Sequence, residues 1–141
     1  MKIDAHLRGG LGDAPAEAAA ARASGYDGIW SAELQHDPFI LLARAVGNAP
    51  DLEFGTAIAV AFARSPMTLA YSAWDLQALT GGRFLLGLGS QVRAHVERRF
   101  SMPWSRPAAR MREYVLALRA ICRSRQEDAA LDFDGESTAT R

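Results

Sequence analysis

The sequence lacks the cysteine pairs, the long apolar runs and the signal peptide that are typical of secreted or membrane-spanning proteins. Its one cysteine, Cys122, cannot form an internal disulfide, which favours a reducing compartment. No uninterrupted apolar run reaches the ~18 residues of a membrane span. The N-terminal stretch MKIDAHLRGG also lacks the apolar core of a signal peptide. These absences predict a cytoplasmic protein with no membrane partner.

Neither sign of charge is in excess, because 16 Lys and Arg residues balance 16 Asp and Glu residues. This balance predicts no binding of nucleic acid. The three histidines, His6, His36 and His95, have no partner at metal-ligand spacing, so no metal site is expected. A P-loop and a G-x-S-x-G nucleophile elbow are absent from the sequence as well.

What the sequence does contain is an alternation of apolar segments and helix-start signals, repeated four times. Strands are predicted at 2–7, 26–33, 52–63 and 83–89. Each is followed by a polar residue and a proline that start a helix: Asp13 and Pro15, Asp37 and Pro38, Ser65 and Pro66, Ser105 and Pro107. The last two strands are apolar on both faces, which is typical of a parallel sheet covered by helices. The pattern predicts either a doubly wound sheet or a (β/α) barrel.

Polar residues near the strand ends favour the barrel, because barrel active sites gather at the carboxyl ends of the strands. They come from all four units: Asp4, His6, Glu33, His36, Arg64, Ser90, Gln91 and His95. Glu33 and His36 lie three residues apart and are expected to share one cavity. A closed barrel needs ~250 residues, so the chain is interpreted as an N-terminal half with an irregular, truncated tail at 127–141. A pair of copies and a small open sheet are the alternatives.

Two glycines in the stretch FLLGLGSQVRAH, Gly87 and Gly89, match the opening of a dinucleotide-binding G-x-G-x-x-G fingerprint. The third glycine position is Val92, and the long predicted helix begins only near Ser105. The glycines therefore lie inside a strand, where glycine is typical of a bulge or of a close approach to the backbone. A flat ring lying over the strand end would require such a position.

Four segments of the sequence resemble the luciferase-like monooxygenase superfamily, in particular its branch of oxidoreductases that depend on coenzyme F420. They are GYDGIWSAELQHDPF, GTAIAVAFARSPMTLA, LTGGRFLLGLGSQVRAHVERRF and MPWSRPAARMREYV. The resemblance implies an α/β fold, with residues 1–141 as one partial domain: the N-terminal half, (βα)4, of a luciferase-like TIM (β/α)8 barrel.

The resemblance also implies a cofactor site. A non-prolyl cis peptide that supports the cofactor ring maps to Ala57 and Ile58, and the segment beside the ring maps to Gly89, Ser90, Gln91 and His95. His6, at the end of the first strand, joins this cofactor-binding set.

Sugar-phosphate dehydrogenases of the superfamily carry a histidine and a glutamate where this sequence has Glu33 and Val92. This sequence therefore lacks the acid/base pair of those dehydrogenases. Glu33, aided by His36, is the candidate proton donor.

The function that the resemblance implies is hydride transfer between coenzyme F420 and a small organic substrate. A monooxygenase that uses FMN and molecular oxygen is the alternative within the family. An alternative of another class is a non-catalytic half-barrel that acts by self-association. The chain alone is expected to bind cofactor weakly and to be inactive. A homodimer is expected through the second and third helices, with the candidate contacts Phe39, Leu42, Met67, Leu69, Tyr71 and Trp74.

Overall fold

The computed structural model describes residues 1–136 and 138–140. Its strands are β1 (Asp4–His6), β2 (Gly28–Ser31), β3 (Glu53–Thr56), β4 (Ala59–Val60), β5 (Phe84–Leu85), β6 (Leu88–Gly89), β7 (Phe133–Asp134) and β8 (Ala139–Thr140). Its α-helices are α1 (Ala14–Ala23), α2 (Pro38–Val46), α3 (Pro66–Leu79), α4 (Arg93–Arg98) and α5 (Pro107–Glu127). The chain divides into a first unit, Met1–Ala59 with Ala73–Leu88, and a second unit, Val60–Ser72 with Gly89–Arg141.

The first unit is built on a parallel sheet whose strand order is β1-β2-β3-β5. One row of paired residues runs across it through Ala5, Ile29, Phe54 and Phe84. Each new strand joins the same side of the sheet, as in a (β/α) barrel, whereas a doubly wound sheet reverses direction at a switch point. The predicted α/β class and the choice of a barrel over a doubly wound sheet are confirmed.

One face of this sheet is fully buried. Ile29 and Ser31 of β2, and Phe54 and Thr56 of β3, are all 0% exposed. Helix α2 contacts both strands, and α1 packs against α2. Burying this apolar row is the main favourable contribution that the sheet makes to folding.

Helix α2 begins where the sequence predicts, because Asp37 caps it. The Asp37 carboxylate accepts hydrogen bonds from the backbone N–H groups of Phe39 (2.8 Å) and Ile40 (3.3 Å), and Pro38 occupies the first turn. The equivalent residue before α1 behaves differently. Asp13 makes no cap hydrogen bond to α1, and its carboxylate instead accepts from Gly10 N–H at 3.0 Å.

The continuous strand predicted at 52–63 is wrong, because the structure divides it into β3, β4 and a 3-10 turn at Ala61–Ala63. The strand predicted at 83–89 is likewise divided into β5 and β6, and β6 pairs with β4 in a separate two-stranded sheet. Beyond the paired residues of β3 and β5, the N–H and C=O groups of Gly87 both bond to the Thr56 hydroxyl, and the C=O also accepts from Ala59 N–H. For the Gly87 N–H, a side chain thus replaces a backbone partner.

In the second unit, α5 buries Tyr114, Ala117, Leu118 and Ile121. Burial raises the pKa of the neighbouring Cys122 thiol, as expected for an inert apolar position. Among the described residues, no helix is both long and apolar enough to span a membrane.

Two segments of the second unit differ from the sequence prediction. The segment between the fourth predicted strand and the helix predicted near Ser105 contains α4, and the tail predicted to be irregular contains the antiparallel pair β7 and β8. Ser137 and Arg141 of that tail lie outside the described residues.

The predicted self-association surface needs correction. Phe39, Leu42 and Leu69 are at most 6% exposed, so these side chains belong to the core. The periodicity of α2 and α3 identified an apolar face but could not tell whether that face is covered. Tyr71 is 49% exposed, and the Arg125 guanidinium lies 5.0 Å from its ring centroid.

Candidate functional site

We use "β3 junction" for residues 56–59 together with Gly87. Thr56 Oγ1 donates a hydrogen bond to the Gly87 carbonyl (2.7 Å) and accepts one from Gly87 N–H (3.0 Å). A Cβ atom at Gly87 would lie 2.0 Å from the Thr56 carbonyl oxygen. The close approach expected at Gly87 is therefore made by the backbone of β3, and contact of this strand with a flat ring stays a prediction.

The structure has the cis peptide between Ala57 and Ile58 that the resemblance implies. Backbone hydrogen bonds hold this segment on both sides: Ala57 N–H donates to the Ser31 carbonyl (2.8 Å), and Ala59 N–H donates to the Gly87 carbonyl (2.9 Å). Ala57 is exposed and Ile58 is half-buried, while Thr56 and Ala59 are fully buried. The β3 junction therefore presents a small apolar surface on a fixed backbone, which suits contact with a flat flavin or deazaflavin ring.

Glu33 follows β2 and is tied to the same junction. Its N–H donates to the Ile58 carbonyl at 3.2 Å, and the residue is only 9% exposed. A carboxyl group at the carboxyl end of a barrel strand is in the position where barrels place catalytic groups.

A cavity of about 490 Å³, which we call the loop cavity, lies between the loops that follow β1 and β2. The first loop contributes His6, Leu7, Arg8, Gly9 and Gly10; the second contributes Ala32, Leu34, Gln35 and His36, and α2 adds Leu41. His6 and His36 thus line one cavity. Glu33 does not line this cavity. The loop cavity is therefore not the shared cavity that the sequence predicts for Glu33 and His36. The side chain of Glu33 is buried, whereas His36 is exposed.

The candidate residues of the second unit are held together locally around Val92. Ser90 Oγ donates to the Gln91 carbonyl (3.2 Å), and Gln91 Oε1 accepts from Val92 N–H (3.0 Å). Gln91 has a left-handed backbone with φ = 60°. His95 lies in α4, where its N–H donates to the Val92 carbonyl (3.0 Å), and Gly89 ends β6.

The prediction that Asp4 lies near the carboxyl end of the first strand is wrong. It begins β1, opposite Gly28, and its carboxylate accepts a hydrogen bond from Trp30 Nε1 at 2.8 Å. The Trp30 ring lies over Gly55, where a Cβ atom would be 2.2 Å from the ring. Asp4 therefore orients an aromatic side chain on the sheet.

Arg8 and the Gly9–Gly10 pair are the site residues that sequence reasoning missed. The signal was available: an arginine and two glycines directly after a predicted strand, where barrels place their sites.

The comparisons with known proteins agree with this geometry. The sequence profile described as luciferase-like monooxygenase matches residues 3–141, so the chain belongs to this family. It is 51% identical to the uncharacterized protein Rv1360 of Mycobacterium tuberculosis over 136 residues, which cover 96% of this chain and 40% of that protein.

Two further proteins are similar to this chain, one in sequence and one in fold. Rv3520c of M. tuberculosis, provisionally named a coenzyme F420-dependent oxidoreductase, is 34% identical over 104 residues, covering 73% of this chain and 30% of that one. The oxygenating constituent of 3,6-diketocamphane monooxygenase from Pseudomonas putida, solved with FMN, superposes with a TM-score of 0.84 at 15% identity. That match covers 99% of this chain and 44% of the other. The chain thus has the luciferase-like barrel fold, and its matches cover 40% of Rv1360 and 44% of the P. putida protein.

Proposed function

We propose that the chain belongs to an oxidoreductase that transfers a hydride between coenzyme F420 and a small organic substrate. Membership of the family supports an oxidoreductase, and the 34% identity to Rv3520c supports a deazaflavin as its cofactor. The observation that carries the proposal is the backbone hydrogen bond from Glu33 to Ile58, which sets a buried carboxyl residue beside an accessible apolar surface.

In this proposal the β3 junction backs the cofactor ring. Ala57 and Ile58 would contact the ring, while Thr56, Ser31 and Gly87 keep their backbone from moving. Reduced F420, when bound, supplies the hydride. A backbone already fixed by hydrogen bonds loses little entropy when the ring binds, which favours binding.

Glu33 would donate a proton to the substrate atom next to the one that receives the hydride, for a carbonyl group the oxygen, and His36 would assist from the loop cavity. His6 is proposed as a cofactor contact in the first unit. Gly89, Ser90, Gln91 and His95 are proposed as cofactor contacts in the second unit, on the resemblance alone.

An FMN-dependent monooxygenase is the second candidate, favoured by the fold shared with the FMN-bound P. putida protein. A third candidate, of another class, is a non-catalytic protein that self-associates. Phe39, Leu42 and Leu69 are buried, so a homodimer through α2 and α3 would use exposed side chains such as Ile40, Tyr71 and Leu79.

The test is a pair of equilibrium titrations of the full chain, one with F420 and one with FMN. We expect F420 to bind at least about tenfold more tightly, a preference of about 1.4 kcal/mol. Tighter binding of FMN would replace the proposal with the monooxygenase. No binding of either cofactor, with dimerisation in light scattering, would favour the third candidate.

A matched pair of variants locates the ring. Ile58→Ala should weaken F420 binding about fivefold, because it removes apolar area from the proposed contact surface. Ile40→Ala removes an equally large side chain that is 55% exposed on α2 and should leave the affinity unchanged. Equal losses in the two variants would contradict the proposed position of the ring.

A further inference from the structure

The loop cavity has a distinct chemistry. Three of its lining side chains, His6, Arg8 and His36, carry or can carry positive charge, and Gln35 adds an amide. Among the residues that the structure describes, no Asp or Glu lines it. A cavity of about 490 Å³ falls within the range of 300–1,000 Å³ typical of small-molecule sites.

Three acidic residues near the cavity are engaged with backbone N–H groups. Glu17 accepts hydrogen bonds from Arg8 N–H (2.9 Å) and Gly9 N–H (2.8 Å). Asp13 accepts from Gly10 N–H, and Asp37 accepts from the first turn of α2. These carboxylates fix the loop backbones and occupy the amide donors, so a ligand must be recognised by side chains.

The Arg8 guanidinium is the strongest donor left to a ligand. Within the described residues, it makes no hydrogen bond or ion pair, since the contact of Arg8 with Glu17 uses the backbone N–H. Glu17 does line a smaller neighbouring cavity of about 260 Å³ together with Arg8, but both of its oxygens accept backbone hydrogen bonds. Arginine is suited to carboxylate and phosphate groups because its planar donors match two oxygens at once.

The remaining lining is apolar. Leu7 and Leu41 are buried, and Leu34 is 63% exposed at the second loop. A ligand that combines an anionic group with a short aliphatic part would satisfy both halves of this surface.

We propose that the loop cavity binds the anionic end of the substrate, a carboxylate or phosphate group attached to a short aliphatic chain. Arg8 pairs with the anion, His36 adds a hydrogen-bond donor, and the leucines contact the aliphatic part, while the His6 Nδ1 faces the Leu7 carbonyl at 2.9 Å. Describing this ligand as the substrate rests on the proposed function, whereas the binding of an anion does not.

The test uses the ¹⁵N-labelled full chain in NMR titrations with butyrate, with 1-butanol as its uncharged counterpart, and with inorganic phosphate. We expect butyrate to shift the amide signals of Gly9 and Gly10 and to bind at least fivefold more tightly than 1-butanol. If phosphate binds more tightly than butyrate, the result supports a phosphate ester as the ligand. If butyrate binds more tightly, it supports a carboxylate.

Variants then test the role of Arg8. Arg8→Gln should weaken butyrate about tenfold, because one charge-assisted hydrogen-bonding group is lost. Arg8→Lys should recover part of this affinity, since it keeps the charge but not the bidentate geometry. Arg44→Gln removes the same charge from an exposed position on α2 that does not line the cavity, and it should bind butyrate like the wild type.

Equal shifts with butyrate and 1-butanol, or an Arg8→Gln affinity within twofold of wild type, would overturn the proposal. Its failure is distinguishable from failure of the proposed function. If the chain binds butyrate or phosphate but does not prefer F420 to FMN, the anion site is supported and the assignment of F420 is wrong. If the chain prefers F420 but binds no anion in the loop cavity, the assignment of F420 is supported and the anion site is wrong.

Discussion

Two regions of the first unit, the β3 junction and the loop cavity, use polar groups in opposite ways. In the β3 junction, Thr56 is fully buried and its hydroxyl makes two hydrogen bonds to one residue, Gly87. In the loop cavity, the side chains of Arg8 and His36 are exposed, and nearby carboxylates hold the loop backbones in place. The first region is therefore expected to determine stability, and the second to determine ligand binding with little effect on stability.

The largest predicted effect is at Gly87. Gly87→Ala should lower the free energy of unfolding by about 3 kcal/mol, because the added Cβ would lie 2.0 Å from a backbone carbonyl oxygen that cannot rotate away. Urea unfolding of the variant measures this change. Gly47→Ala is the matched control, since a Cβ there meets nothing within 4 Å. A cost below 1 kcal/mol at Gly87 would show that the junction can relax.

A smaller effect is expected when the Thr56 hydroxyl is removed. Thr56→Val keeps the shape but leaves Gly87 N–H without its partner, so stability should fall by about 2 kcal/mol. Ser31, its paired residue on β2, is the control: its hydroxyl is equally buried and has no hydrogen-bond partner among the described residues. Ser31→Ala should be neutral or stabilising in the same urea experiment. Equal losses in the free energy of unfolding for Thr56→Val and Ser31→Ala would contradict the stabilising role of the Thr56 hydrogen bonds.

The cap of α2 should contribute about 1 kcal/mol. Asp37→Ala removes the acceptor of two backbone N–H groups at the helix start. Asp75→Ala removes the same carboxyl group from an exposed position within α3 and should change the thermal midpoint by less. Because Asp37 flanks the loop cavity, the butyrate affinity of Asp37→Ala should also be measured; a change there without a stability loss would contradict its assignment as a cap.

The smallest effect is expected at the exposed pair Arg22–Asp51. A hydrogen bond from Arg22 lowers the pKa of the Asp51 carboxyl. A depressed pKa in the folded state contributes stability that is present above the unfolded value of about 3.9 and is lost as the pH falls through the folded value. Asp51→Asn should therefore reduce slightly the fall in urea midpoint between pH 7 and pH 3. Arg22→Gln should do the same, and the double variant should add nothing further.

Local signals allowed much of the fold to be predicted. Asp37 and Pro38 start α2 as expected, because capping depends only on neighbouring residues. Helix α4 was missed because its N-cap is Val92, which offers no side-chain acceptor. A close approach at Gly87 was expected, but its partner Thr56 could not be identified, since Thr56 lies 31 residues earlier in the chain and no local pattern connects them.

The candidate site was predicted only in part. His6 and His36 follow different strands, and parallel pairing of β1 with β2 brings their loops to one cavity. The separation of Glu33 from that cavity depends on how one loop orients successive side chains, which residue spacing does not determine. The roles of Glu33 in proton donation and of Ala57 in cofactor contact stay predictions.

The central claim is that F420 binds against the β3 junction. The most direct measurement is an NMR titration of the ¹⁵N-labelled chain with F420, observing backbone amides throughout the first unit. We expect the largest shifts at Ala57, Ile58 and Glu33, and no comparable shifts with FMN at the same concentration. Shifts that spare these three amides, or that FMN reproduces in full, would contradict it.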